Sequence, residues 1–132
     1  MESGQPTNAQ RILIVDDSSK ARLLVESILR GQGYDQLTSV ESAQQAYQAL
    51  GVEAEQDQLP VPFDLILMDL LMPEVDGLQA CRRIKSCSRF TDVPLIMVTA
   101  EDSTESLKEA FEAGAIDYVK KPLNRVELMA RV

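Results

Sequence analysis

Four apolar runs in the sequence each precede a polar side chain that can take part in metal or phosphoryl chemistry. These side chains are Asp16 and Asp17 after residues 12–15, Asp69 after 65–68, Thr99 after 95–98 and Lys121 after 118–119. If the runs are neighbouring strands of one parallel sheet, their carboxyl ends lie along one edge, where open α/β sheets place ligands. Three carboxylates, a hydroxyl and an ammonium would then share one pocket, which suits a divalent cation and a phosphoryl group.

The three aspartates predict a magnesium site. Clustered carboxylates repel one another and take up protons unless a cation lies among them. Mg²⁺ prefers oxygen ligands and keeps several waters, so one or two carboxylates and a backbone carbonyl would suffice. A carboxylate such as Asp69 can also attack phosphorus to form an acyl phosphate. The alternatives are that Asp16-Asp17 turns the chain and caps a helix, and that Asp69 only hydrogen-bonds the next turn.

Thr99 and Lys121 are the other candidates for this site. The Thr99 hydroxyl could hydrogen-bond a phosphoryl oxygen on Asp69, and the Lys121 ammonium could neutralise its charge. Taken singly, a threonine at a strand end and one lysine are ordinary sheet and surface residues. Their joint order along the strand ends favours the functional interpretation.

The apolar spacing predicts the elements that would position these residues. Strands are expected at 12–15, 36–40, 65–68, 95–98 and 117–119, each followed by a helix, with the second helix ending at Gly51 and a short last helix starting at Asn124. Five successive βα units indicate an α/β fold, a three-layer sandwich with a parallel sheet. Residues 1–10 are expected to be a flexible tail and residues 11–132 to form one domain. Within the domain we expect a long loop at 52–63, a turn at Asp76-Gly77 and a helix-capping box at Asp102–Glu105.

Composition limits the function classes. The 132 residues suit one domain, and the net charge of −8 opposes direct binding to nucleic acid or an anionic membrane. With no His and two Cys, zinc sites of the usual type and His-dependent triads are excluded. No run is long enough for a membrane helix and no signal peptide begins the sequence, so a cytoplasmic protein is expected.

The motifs resemble the receiver domain of two-component response regulators. The resemblance spans Arg11 to Val132 and rests on Ile14–Asp17, Met68-Asp69, Met72-Pro73, Asp76-Gly77, Val98–Ala100, Ala113–Ala115 and Tyr118–Pro122. It implies the flavodoxin-like receiver fold, a five-stranded parallel sheet in the order 2-1-3-4-5, here with a truncated last helix. It further implies a phosphoacceptor domain that does not turn over an external substrate.

The resemblance also implies roles for individual residues. Asp69 would accept a phosphoryl group from a sensor histidine kinase or a phosphotransfer protein. Mg²⁺ would be held by Asp16, Asp17, Asp69 and the backbone carbonyl of Leu71, while Thr99 and Lys121 would bind the phosphoryl oxygens. Thr99 and Tyr118 would form a conformational switch, although an aromatic residue in a short strand is also explained by packing. The peptide between Lys121 and Pro122 is expected to be cis.

The same resemblance implies partners and leaves alternatives open. We expect a C-terminal output domain beyond Val132, and a possible dimer through the fourth helix, fifth strand and last helix. A haloacid-dehalogenase-type phosphatase would need a second acid where Leu71 stands, and a flavin-binding flavodoxin-like protein would need a phosphate-cradling loop where Asp16-Asp17 would repel the phosphate. A receiver-like module that binds partners without phosphorylation is the third alternative.

Overall fold

The fold is given by a computed structural model that describes residues 8–52, 62–70, 72, 75–100, 104–121 and 124–132. Several sequence predictions therefore fall wholly or partly outside the described residues. They are most of the tail at 1–10, most of the loop at 52–63, the start of the capping box at 102–103, the Leu71 carbonyl and the peptide bond before Pro122.

Strands and helices alternate along the described part of the chain, as the apolar spacing predicts. The strands are β1 (Asn8–Val15), β2 (Tyr34–Val40), β3 (Leu65–Met68), β4 (Leu95–Thr99) and β5 (Asp117–Lys120). The helices are α1 (Ser19–Gly31), α2 (Ala43–Leu50), α3 (Gly77–Lys85), α4 (Thr104–Glu112) and α5 (Arg125–Arg131), with a 3-10 turn at Ser88–Phe90 before β4. Within the described residues, no helix is both long enough and apolar enough to cross a membrane.

The five strands form one parallel sheet in the order β2-β1-β3-β4-β5, which confirms the predicted topology. The carboxyl ends of the central strands are in register, since Val15 lies opposite Met68 and Met68 lies opposite Met97. The residues that follow these strands are therefore brought to one edge of the sheet.

Two strands begin earlier than the sequence predicts. Structure was expected from about Arg11, but β1 begins at Asn8 and pairs there with Tyr34, so β2 also begins before Gln36. Residues 8–10, Asn-Ala-Gln, have low strand propensity, so pairing with the neighbouring strand extends β1 where propensity does not. The ladder is irregular between Asn8 and Arg11.

Each face of the sheet buries an apolar cluster, as expected for a three-layer α/β sandwich. Alternate residues of the strands point to opposite faces. Leu13 and Ile66 pack in the cluster that α2, α3 and α4 cover, while Ile12 and Leu67 pack in the cluster that α1 and α5 cover. The sheet is thereby held rigidly between two helical layers.

Helices α1, α2, α3 and α5 begin at polar capping residues, which fixes where each of them starts. Ser18 accepts a hydrogen bond from the Ala21 N–H and so caps α1, and the Asp16-Asp17 pair lies before this cap. Asp76 caps α3 in the same way through the Gln79 N–H, so the predicted turn at Asp76-Gly77 is the start of this helix. A side-chain oxygen at the N-cap satisfies an N–H that the helix itself cannot pair.

Candidate functional site

Asp16 and Asp69 are placed by the ladders of the two central strands. Each residue directly follows its strand, and its backbone N–H continues the hydrogen bonding: Asp69 donates to the Val15 carbonyl at 2.9 Å and Asp16 to the Val40 carbonyl at 3.2 Å. Both residues are buried, with 4% of Asp16 and 5% of Asp69 exposed. The sheet thus holds two carboxylates at its carboxyl edge in nearly dry surroundings.

Asp17 completes a group of three carboxylates. It is exposed, whereas Asp16 and Asp69 are buried, and one carboxylate oxygen from each of the three lies within 4.8 Å of the others. Three like charges at this separation repel one another and favour any cation that enters among them. The predicted cluster of Asp16, Asp17 and Asp69 is therefore formed.

Lys121 bridges the two buried carboxylates. Its Nζ donates to Asp16 Oδ2 at 2.8 Å and to Asp69 Oδ2 at 3.2 Å. Burial lowers the pKa of the Lys121 ammonium, but the hydrogen bonds and charges of Asp16 and Asp69 outweigh it, so the pKa lies above its ordinary value of 10.5. The lysine stays protonated at neutral pH and leaves the three-carboxylate group with an excess of negative charge.

Thr99 and Tyr118 lie on the two strands next to this group. Thr99 ends β4, is fully buried, and its carbonyl accepts a hydrogen bond from the Lys121 N–H at 2.8 Å. Tyr118 lies in β5 opposite Met97, is half-buried and packs against the cluster beneath α2, α3 and α4. The structure therefore brings Thr99 beside Lys121 through the backbone and places Tyr118 one strand further along.

The environment of Asp16 includes two contacts that the sequence interpretation missed. The Ser18 N–H donates to Asp16 Oδ1 at 2.9 Å, and Arg22 Nη1 donates to the Asp16 carbonyl at 2.6 Å. Both oxygens of the Asp16 carboxylate are therefore engaged, one by Ser18 and one by Lys121. Arg22 gave no motif signal, because its contact depends on how α1 lies over the loop that follows β1.

A parallel sheet in the order 2-1-3-4-5, with acidic side chains and a lysine at its carboxyl edge, defines the flavodoxin-like receiver fold. The chain belongs to the response regulator receiver domain family, which matches residues 12–132, and it is a receiver domain of two-component response regulators. The resemblance stated from the motifs is confirmed.

Individual relatives agree with this assignment. The chain is 37% identical over 122 residues to the DNA-binding dual master transcriptional regulator RpaA of Synechocystis sp., covering 92% of this chain and 47% of RpaA. The chain spans about half the length of the curated relatives it matches.

Solved structures give the same picture. The chemotaxis protein CheY4 of Vibrio cholerae is 27% identical with a TM-score of 0.80, and the match covers 94% of this chain and 96% of CheY4. The receiver domain of the sensor histidine kinase PA1611 from Pseudomonas aeruginosa is 31% identical with a TM-score of 0.77, covering 94% of each chain. The PA1611 structure has a magnesium ion coordinated in its active site cleft.

Proposed function

We propose that this receiver domain accepts a phosphoryl group on Asp69 from a histidine kinase or a phosphotransfer protein. The observation that carries the proposal is the Lys121 ammonium, which bridges Asp16 and Asp69 inside a group of three carboxylates. One ammonium offsets part of a local charge of three aspartates and leaves the group able to take a further cation. Asp16 and Asp69 both combine burial at a strand end with direct contact to this ammonium, and Asp69 is chosen as the acceptor because its motif resembles the phosphoacceptor motif of receiver domains.

The site fits a magnesium ion. Three carboxylate oxygens within 4.8 Å of one another are hard ligands in a compact group, and Asp17 is open to solvent, so that an ion can reach it with its waters. Asp16, Asp17 and Asp69 would hold the ion together with the Leu71 carbonyl, which is proposed from the resemblance to receiver domains alone. When bound, magnesium would neutralise charge on the phosphoryl oxygens.

The proposed reaction is the transfer of a phosphoryl group from a donor histidine to Asp69. A carboxylate oxygen of Asp69 forms a bond to phosphorus while the bond from phosphorus to a donor histidine nitrogen breaks, and that nitrogen keeps the electron pair. Lys121 then faces the added negative charge, and the Thr99 hydroxyl would donate to a phosphoryl oxygen. Attack of water on phosphorus later breaks its bond to the Asp69 oxygen, which returns the carboxylate and releases inorganic phosphate, so the phosphorylated state is transient.

Phosphorylation would be read out through Thr99 and Tyr118. Thr99 is fully buried at the end of β4, so any movement toward a phosphoryl group leaves space that a neighbouring side chain can fill. Tyr118 is only half-buried on the adjacent strand, which supports its role as that neighbour. The charge added at Asp69 would thus shift Thr99 and Tyr118 between two arrangements and alter the protein surface beside Tyr118.

The partner surface that we propose comprises α4, β5 and α5. Two large apolar side chains are exposed there, Phe111 at 46% and Val126 at 77%, which suits a dimer or an output domain. An output domain following this receiver is supported by relatives that are about twice as long, among them RpaA, which is named as DNA-binding. We place the protein in the cytoplasm, as a single domain whose first strand begins at Asn8.

The direct test is chemical. The protein is incubated with MgCl₂ and acetyl phosphate, and intact-mass spectrometry follows a labile phosphate adduct, with Asp69→Asn as the matched variant of nearly equal shape. We expect an adduct on the parent and none on Asp69→Asn. A parent without an adduct, or an adduct that persists in Asp69→Asn, would overturn the assignment of Asp69.

A further inference from the structure

We propose that Gly77 is a positioning residue, which holds the main chain of Asp69 in the place that phosphoryl transfer requires. The proposal rests on the proposed role of Asp69 as the phosphoryl acceptor. Gly77 is the first residue of α3, so it lies eight positions from Asp69 in sequence but against it in space.

The evidence is an approach that leaves no room for a side chain. A Cβ atom at Gly77 would lie 2.2 Å from the Asp69 carbonyl oxygen, 2.7 Å from the Leu70 Cα and 2.9 Å from the Asp69 carbonyl carbon. Non-bonded carbon atoms are most stable at separations of about 3.5–4.0 Å. All three neighbours are main-chain atoms and cannot swing aside, so an added methyl group would displace either α3 or the backbone of Asp69.

Backbone conformation does not explain this glycine. Among the described glycines, positive φ angles occur at Gly33, Gly51 and Gly114. Gly77 has a helical backbone instead, which alanine adopts more readily than glycine. The position therefore uses glycine for the absent Cβ and the close approach that this allows.

Other contacts show why an added Cβ at Gly77 would displace the main chain of Asp69 rather than helix α3. The Gly77 N–H donates to the Leu70 carbonyl at 2.8 Å, and the Asp69 N–H donates to the Val15 carbonyl at 2.9 Å. The main chain of residues 69–70 is thus held between β1 on one side and the start of α3 on the other. Because Ala80 and Ile84 of α3 are fully buried, the helix resists a shift away from the sheet.

The test compares three Gly→Ala variants. Gly77→Ala is expected to form the phosphate adduct from acetyl phosphate at saturating MgCl₂ about 10- to 100-fold more slowly than the parent, since small misplacements of reacting groups have effects of this order. Gly31→Ala is the matched control, because Gly31 ends α1 and a Cβ there meets nothing within 4 Å. Its rate should equal that of the parent.

Gly114→Ala separates positioning from general destabilisation. Gly114 has a φ of 115° and a Cβ there would lie 2.6 Å from Lys85 Cγ, away from the carboxyl edge. We expect this variant to lose unfolding free energy yet, under conditions where it is folded, to react at the parent rate. If Gly77→Ala is no slower than Gly114→Ala at equal folded fraction, or matches the parent, the proposal is wrong.

A second pair of variants keeps the test decisive if Gly77→Ala does not fold. Asp76→Ala and Asp76→Asn lose the same charge, but only the asparagine can still accept the Gln79 N–H that caps α3. We expect Asp76→Ala to react more slowly than Asp76→Asn, and equal rates would overturn the proposal. A parent that forms no adduct would instead overturn the proposed function, and this proposal with it.

Discussion

The two edges of the sheet carry charged groups in different ways. At the amino edge, Arg11 pairs with Asp64 at 3.0 Å and Arg131 pairs with Asp117 at 3.2 Å, and all four side chains are about 40% exposed. At the carboxyl edge, Lys121 contacts two aspartates whose side chains are 5% and 6% exposed. One edge has balanced pairs in water, and the other has unbalanced charge in the protein interior.

The difference shows which charged groups are arranged for function. Exposed one-to-one pairs contribute little to stability, and their opposite charges cancel. A buried excess of carboxylates is unfavourable by itself and becomes favourable only when a cation or another ligand enters. The carboxyl edge is therefore preorganised for a cation, because the two helical layers keep its side chains in place.

The largest expected difference between the edges comes from removing one cation from each. Without magnesium, Lys121→Met should lower the free energy of unfolding by about 2 kcal/mol, less than the 3–5 kcal/mol for a fully buried pair, because 22% of the Lys121 side chain is exposed. Arg131→Met should cost no more than about 1 kcal/mol. Urea unfolding of both variants and the parent measures the two losses, and equal losses would contradict the comparison.

Asp17→Asn should change stability and metal binding in opposite directions. Removing one of three neighbouring carboxylates relieves repulsion, so the metal-free protein should gain about 0.5–1 kcal/mol. The Mg²⁺ dissociation constant should rise about tenfold or more. Urea unfolding and isothermal titration calorimetry measure these two quantities.

The control for this prediction lies at the amino edge. Asp117 is already paired with Arg131, so Asp117→Asn should not raise stability and should leave Mg²⁺ affinity unchanged. A metal-free Asp17→Asn that is no more stable than the parent, with unchanged Mg²⁺ affinity, would show that the three carboxylates do not act as one group.

Much of the carboxyl edge could be predicted from sequence because its position follows from strand order. β3 is apolar throughout and β4 is apolar up to Thr99, and both are buried, so the polar residues at their ends had to emerge at the edge. Parallel pairing then brings Asp16, Asp69 and Thr99 into neighbouring positions whatever the details of packing. The fold class and the composition of the acidic group were predictable for this reason.

Contacts that depend on how elements pack were not predictable. Lys121 was expected near Asp69, but its shorter hydrogen bond is to Asp16. Arg22 reaches the Asp16 carbonyl only because of the position of α1, and Gly77 touches Asp69 only because of the position of α3. No periodicity or local motif encodes such distances, since they are set by the whole core.

The smallest expected effects concern how the stability contributed by each edge depends on pH. Lys121 has a folded-state pKa above 10.5, so its contribution to stability is present below pH 10.5 and is lost as pH rises through that raised value. The hydrogen bonds from Arg11 hold the pKa of Asp64 below 3.8, so its contribution is present above pH 3.8 and is lost as pH falls through the lowered value. The two edges should therefore weaken at opposite ends of the pH scale.

The measurement is the free energy of unfolding against pH, without magnesium, for the parent, Lys121→Met and Asp64→Asn. The difference between parent and Lys121→Met should shrink above pH 10.5, and the smaller difference between parent and Asp64→Asn should shrink below pH 3.8. Both carboxyl partners of Lys121 are buried, whereas Arg11 and Asp64 are about 40% exposed and screened by water, so the alkaline change should be the larger. A larger acid change would mean that the exposed pair contributes more than the buried group, contrary to the distinction between the two edges.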